Sequence, residues 1–132
     1  YRGICDAVPQ PPAGTIALPI SRQPGSLLKR SIDPDGLPSQ TEYETLSVSH
    51  GRALLRLRPL TGRTHQLRLH MAAMGHPLTG DWLYGAEDKT LIARPALHSY
   101  ELWLRHPLTK EPLHITAPIP EDMLSLIKEE KL

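Results

Sequence analysis

The densest chemistry in this sequence lies between Thr61 and Gly85. Thr61-Gly62-Arg63-Thr64 reads as a Gly-containing turn, and Thr64 to Met74 follows as a helix carrying His65, Arg68 and His70. Gly75-His76-Pro77 closes that helix, and Gly80-Asp81 with Trp82 and Tyr84 forms a second turn. A turn opening a helix offers free backbone N–H groups, and guanidinium groups beside it add positive charge, so the unit suits an anionic partner. The surrounding sequence agrees. No Asp or Glu occurs from Thr45 to Gly80, a stretch that holds Arg52, Arg56, Arg58, Arg63 and Arg68.

Other chemistries fit less well. His65 and His70 are five residues apart, not the four that place two metal ligands on one helix face, and there is no Cys pair. No zinc or other metal site is expected. Ser and Asp are present, but no Gly-x-Ser-x-Gly nucleophile elbow accompanies them. Phosphate or RNA contact is the better reading. Arg68 stands out, because it adjoins the core position Leu67 and a half-buried guanidinium needs a carboxylate or phosphate partner. With no acid close by in sequence, that partner is expected from elsewhere in the fold or from sequence outside this chain.

The elements that must position these residues belong to one domain of modest core, since 132 residues do not require two. Net charge is only +1, so a local positive face sits on an otherwise balanced body. A single cysteine, Cys5, excludes an internal disulfide and a Cys-rich metal site. With no membrane span or signal-peptide pattern, the expected setting is soluble and cytoplasmic.

Ile4 to Val8 and Gly14 to Ile20 read as strands separated by Pro9, Pro11 and Pro12. Ser21 to Ser39 reads as an irregular loop. Thr41 to Val48 and Arg52 to Leu60 flank His50-Gly51 as a hairpin, with Ala53, Leu55 and Leu57 toward a core and Arg52, Leu54, Arg56 and Arg58 on a cationic face. In the helix, Leu67, Met71 and Met74 form the buried stripe and Gly75 takes the C′ position. Ala96 to Leu104 reads as a strand returning through His106–Glu111 into Leu113 to Ala117. Pro120 to Lys128 reads as a terminal helix with Met123, Leu124 and Ile127 inward. These elements predict an α+β domain on a largely antiparallel mixed sheet.

The long motif Thr61 to His70, with Gly75-His76-Pro77-Leu78 and Gly80-Asp81 behind it, resembles the third conserved motif of RluA-type RNA pseudouridine synthases. Arg94-Pro95-Ala96-Leu97-His98 followed by His106-Pro107 resembles that family's next block, and Pro118-Ile119-Pro120 with the last helix resembles its C-terminal end. The resemblance spans essentially the whole chain. It implies a cofactor-independent enzyme that flips a uridine out of structured RNA, ribosomal or transfer, and isomerises it to pseudouridine. In such enzymes an Asp attacks or deprotonates the ribose, the uracil detaches and turns, and C5 rejoins C1′.

That Asp belongs to a His-Arg-Leu-Asp motif which this sequence does not contain; Arg30-Ser31-Ile32-Asp33 is only the nearest string. Residues 1–132 are therefore expected to be the C-terminal portion of one catalytic domain, inactive alone and prone to self-association through uncovered surface. By matching position, Tyr1 resembles the active-site Tyr that packs on the uracil and assists loss of the C5 proton. Leu67 resembles the apolar residue lining the base pocket, and Arg68 the basic residue that pairs with the catalytic Asp. Arg63, Thr64 and His65 are expected to contact RNA, Asp81 to cap its turn structurally, and His98 to be a packed strand residue. The competing reading is a non-catalytic RNA-binding module of the same fold.

Overall fold

A computed structural model describes residues 1–127. Its framework is a five-stranded, wholly antiparallel sheet ordered β2-β5-β6-β1-β7. The strands are β1 (Arg2–Asp6), β2 (Ala13–Ile16), β5 (Thr41–Ser49), β6 (Arg52–Pro59) and β7 (Leu97–His98). Two short hairpins attach to it: β3 (Ile20–Arg22) with β4 (Arg30–Ile32), and β8 (Glu101–Arg105) with β9 (Pro112–Thr116). Helix α1 (Gln66–Ala73) and helix α2 (Glu121–Ile127) complete the fold. No described helix is long and apolar enough to cross a membrane.

The period-2 pattern of β1 and β6 divides the core into two layers. Cys5, Ala53, Leu55 and Leu57 face Leu67 and Met71 of α1, together with Tyr43 and Leu78. Ile4 faces the opposite way, toward Ile92, Ala96, Met123 and Leu126, with Leu54 packed on that cluster. Strand β1, between β6 and β7, is thus buried on both sides, and the sheet carries α1 on one face and α2 on the other. His50 and Gly51 both adopt positive φ (54° and 73°) in the β5–β6 turn, the geometry whose twist matches a two-residue hairpin. Helix α1 ends in a Schellman arrangement. Gly75, at φ 83°, donates to Ala72 O, and His76 N donates to Met71 O.

Several expectations are corrected. The stretch read as loop from Ser21 to Ser39 contains β3 and β4, which are too short for periodicity to register. They are held by Ser21 Oγ donating to Asp33 and by backbone bonds between Ile20 and Leu37. The strand expected over Gly14 to Ile20 breaks near Pro19, and β1 stops at Asp6 because Ala7 turns to φ 61°. Helix α1 begins two residues later than predicted. The strand expected over Ala96 to Leu104 is two: β7 bonds to β1, and beyond Ser99-Tyr100 the chain leaves that sheet to pair with β9. Lys128, the predicted end of the last helix, lies outside the described residues. In α2, Met123 and Leu126 are buried and Ile127 packs against them as expected, so Leu126 takes the inward place predicted for Leu124.

The cationic face of β6 is the largest revision. Its register sets Glu42 opposite Arg58 and Glu44 opposite Arg56, and both form ion pairs; Asp6 lies opposite Arg52 at 3.6 Å. Acids distant in sequence neutralise the acid-free stretch across the strands.

Candidate functional site

The entrance to α1 is assembled around Gln66, whose side chain uses all four of its hydrogen-bonding positions. Oε1 accepts from Thr61 Oγ1 (2.7 Å) and Arg63 N (3.1 Å), while Nε2 donates to Gln40 O (2.7 Å) and Thr41 Oγ1 (3.0 Å). The Thr41 hydroxyl continues to His70 Nδ1 at 2.8 Å, and His70 Nε2 reaches Leu18 O at 2.8 Å. A carbonyl only accepts, so His70 carries its proton on Nε2 and Thr41 donates to Nδ1. Burial lowers the His70 pKa against the opposing effect of the Leu18 bond, which keeps the ring neutral. His70 is fully buried. This network clamps the 61–65 turn to the edge of β5.

Arg68 finds its partner inside the chain. Its Nε donates to Asp81 Oδ2 (3.0 Å) and Nη2 to Asp81 Oδ1 (2.8 Å), a bidentate pair in which Asp81 is 0% exposed. Asp81 Oδ1 also accepts from Leu83 N (3.1 Å) and Tyr84 N (3.2 Å), the cap the sequence predicted. Burial pushes the Asp81 carboxyl up. The Arg68 bonds and the two N–H groups outweigh it and hold the pKa below the usual value. Gly80 makes this turn possible: at φ 78°, a Cβ there would lie 2.5 Å from Arg94 O. The Arg68 guanidinium also lies 5.4 Å from the Tyr84 ring centre and 5.7 Å from that of Trp82. Its Nη1 makes no hydrogen bond to a described residue, and the side chain stays 15% exposed.

The other predicted site residues spread around this pair. His65 sits at the N-cap position in the left-handed region (φ 57°, ψ 19°) and makes no side-chain cap bond. Its Nδ1 lies 2.8 Å from the Tyr84 hydroxyl. Arg63 turns back to Pro38 O through Nε (3.2 Å) and Nη2 (2.9 Å), and the Thr64 side chain is exposed and makes no hydrogen bond to a described residue. Leu67 is buried in the core beneath α1. Tyr1 is bonded to Leu57 through both backbone groups at 2.9 Å. Strand alternation from Gly3 and Cys5 puts it on the α1 face of the sheet, where it remains 40% exposed. His98, as expected, is a hydrogen-bonded strand residue, 3.1 Å from Ala117 O. Cys5 is buried, and burial, with a smaller effect from Asp6, pushes its thiol up to about 12, so it is no nucleophile.

Sequence reasoning missed Tyr84, Gln66 and Arg30. Tyr84 is the junction of the cluster, because its hydroxyl also accepts the Arg30 N–H of β4 at 2.9 Å. The available signal was Asp81 itself. It is the first carboxylate after the acid-free stretch, and its Asx-type turn aims the residue three positions on.

Comparison with known proteins places the chain in a family. The sequence model of the RNA pseudouridylate synthase family matches residues 1–73. The chain is 44% identical over 117 residues to the uncharacterized RNA pseudouridine synthase YjbO of Bacillus subtilis, covering 89% of this chain and 41% of that protein. It is 40% identical over 128 residues to ribosomal large subunit pseudouridine synthase D of Escherichia coli, covering 87% and 39%. Among solved structures, human RNA pseudouridylate synthase domain containing 1 superposes with a TM-score of 0.74 at 30% identity, over 89% of this chain and 53% of that one. The chain thus spans about two-fifths of the length of these curated relatives. On the matched motif and the superposed fold together, this chain belongs to the RNA pseudouridylate synthase family.

Proposed function

We propose that the protein containing this chain isomerises uridine to pseudouridine in structured RNA, and that residues 1–132 supply the C-terminal portion of its catalytic domain. The observation that carries this reading is Arg68. Asp81 locks two of its nitrogens, while the third bonds to no described residue and the side chain stays partly exposed beside the rings of Trp82 and Tyr84. A guanidinium held this way suits one more carboxylate, the nucleophilic Asp contributed by sequence outside these residues. Held beside Arg68, that Asp stays ionised and aimed at the ribose.

In the proposed reaction the N1–C1′ bond of the flipped uridine breaks, the uracil turns, and a C5–C1′ bond forms. C5 loses its proton as N1 gains one, so no oxidant or cofactor is consumed. Tyr1 packs on the uracil and assists removal of the C5 proton, and Leu67 supports the base pocket. Arg63, Thr64 and His65 meet the RNA strand. Ribosomal RNA is favoured over transfer RNA by the name of the Escherichia coli relative. A cytoplasmic setting belongs to the same reading.

Release of tritium from C5-labelled uridine in RNA tests the proposal in the full-length protein. The 132-residue chain alone should release none. Arg68→Lys keeps a charge near Asp81 but loses the planar fork, and should lower kcat at least about a hundredfold with a much smaller change in RNA affinity. Arg63→Ala should do the reverse, weakening affinity with a salt slope shallower by about one and a smaller loss of kcat. If both variants alter affinity alone, Arg68 is a phosphate ligand and not the partner of the nucleophile; if the full-length protein releases no tritium, the non-catalytic RNA-binding reading stands instead.

A further inference from the structure

His65 is held in a left-handed conformation that non-glycine residues rarely adopt, and no capping bond rewards it. What the conformation achieves is contact with Tyr84. The Tyr84 oxygen accepts the Arg30 N–H at 2.9 Å and lies 2.8 Å from His65 Nδ1, with the two rings edge-on at 75°. A phenol has one proton to give. With a backbone N–H already directed at its oxygen and Nδ1 2.8 Å away, the geometry favours giving that proton to Nδ1, which leaves the imidazole hydrogen on Nε2. Nε2 makes no hydrogen bond to a described residue. The groups facing the ring are Arg68 of α1, Arg30 of β4, and Asp81 and Tyr84 of the following turn. Burial first, then Arg68 and Arg30, lower the His65 pKa against the opposing pull of Asp81.

We propose that Tyr84 is a positioning residue that locks His65 as the neutral Nε2–H tautomer, and that His65 offers this one donor to an oxygen of the bound RNA. The RNA half of this statement rests on the function proposed above; the tautomer does not. A neutral donor adds orientation without counterion release, which separates His65 from Arg63. The oxygen belongs either to a phosphate beside the target or to a carbonyl of the flipped uracil. Because Arg30 N shares the same hydroxyl, the β3–β4 hairpin and the α1 entrance keep one relative placement through Tyr84.

The test uses full-length protein carrying 15N-labelled histidine. His65 is identified by the signal lost in His65→Asn, a replacement that tolerates the left-handed backbone. Long-range 1H–15N correlations at pH 7.5 should show the Nε2–H pattern in the unsubstituted protein and a tautomer mixture in Tyr84→Phe. Both variants should weaken RNA binding about three- to tenfold with an unchanged salt slope, and lower kcat less than affinity. A methylphosphonate next to the target uridine should erase the difference between His65→Asn and the unsubstituted protein if the acceptor is phosphate. If it is the base, thiouridine should erase the difference instead. An Nδ1–H or doubly protonated ring in the unsubstituted protein overturns the proposal, as does a Tyr84→Phe variant with tautomer and affinity unaltered. If the full-length protein isomerises no uridine, the functional reading fails and the tautomer result stands separately.

Discussion

The α1 entrance and the β8–β9 hairpin are built from similar residue types and held in opposite ways. At the entrance, Gln66, His70, Arg68 and Asp81 each meet partners from other parts of the chain: Gln40 and Thr41 before β5 is well begun, Leu18 beyond β2, and the turn after α1. In the hairpin, the bonds are mostly local. Trp103 stacks on His114 at 3.4 Å, and His114 bonds Glu101 at 2.9 Å. On the other face Leu102 lies opposite Ile115 and Leu104 opposite Leu113, with Leu102 54% and Ile115 53% exposed. The hairpin is tied back through Ala117, by its N–H to Tyr100 O and its carbonyl to His98, and by Glu101 to Arg2. The entrance draws on distant segments that lock one another, as the site proposed there requires. A two-stranded ribbon with both faces wet is only marginally stable.

The sharpest way to break this contrast is at the buried pair. Asp81→Ala strands Arg68 and releases the Leu83 and Tyr84 caps, and should cost on the order of 3–5 kcal/mol in the full-length protein. Glu101→Gln in the hairpin should move the denaturant midpoint far less. Equal shifts would show that the entrance is no more interlocked than the ribbon.

A second measurement sharpens the comparison without mutation. Amides of β1 and β6 should exchange hydrogen about a thousandfold more slowly than those of β8 and β9, a difference of about 4 kcal/mol in opening free energy. Uniform protection would mean that something covers the hairpin as thoroughly as α1 covers β6.

The smallest expected effect is pH-dependent and confined to the entrance. His70 folds neutral with its pKa below 6.5, whereas the unfolded chain titrates near that value. Its contribution is therefore present in full above pH 6.5 and withdrawn as the pH falls through the lower folded value. His65 is shifted in the same direction. The melting temperature should fall between pH 7.5 and 5.5, and His70→Gln should flatten that slope; an unaltered slope would remove His70 from the account.

Much of this was legible from residues alone. The alternation of Ala53, Leu55 and Leu57 announced a core-facing strand, His50-Gly51 its turn, and Gly75 the end of α1, because each is a local consequence of backbone geometry. The burial of Arg68 followed from its place beside Leu67, and the Thr61–His70 motif identified the family. What escaped were short strands and pairings. Arg22 and Arg30 sit opposite each other in β3 and β4, yet three residues carry too little period to be recognised. Glu42 and Glu44 neutralise Arg58 and Arg56 only once a register is chosen, since a slip of one residue would turn every side chain to the other face. Local propensity and spacing thus determined which residues turn, bury and carry charge. Only the tertiary structure decided that Asp81 holds Arg68 and that Tyr84 joins His65 to Arg30, because those partners converge only after the chain has closed loops that no local rule specifies.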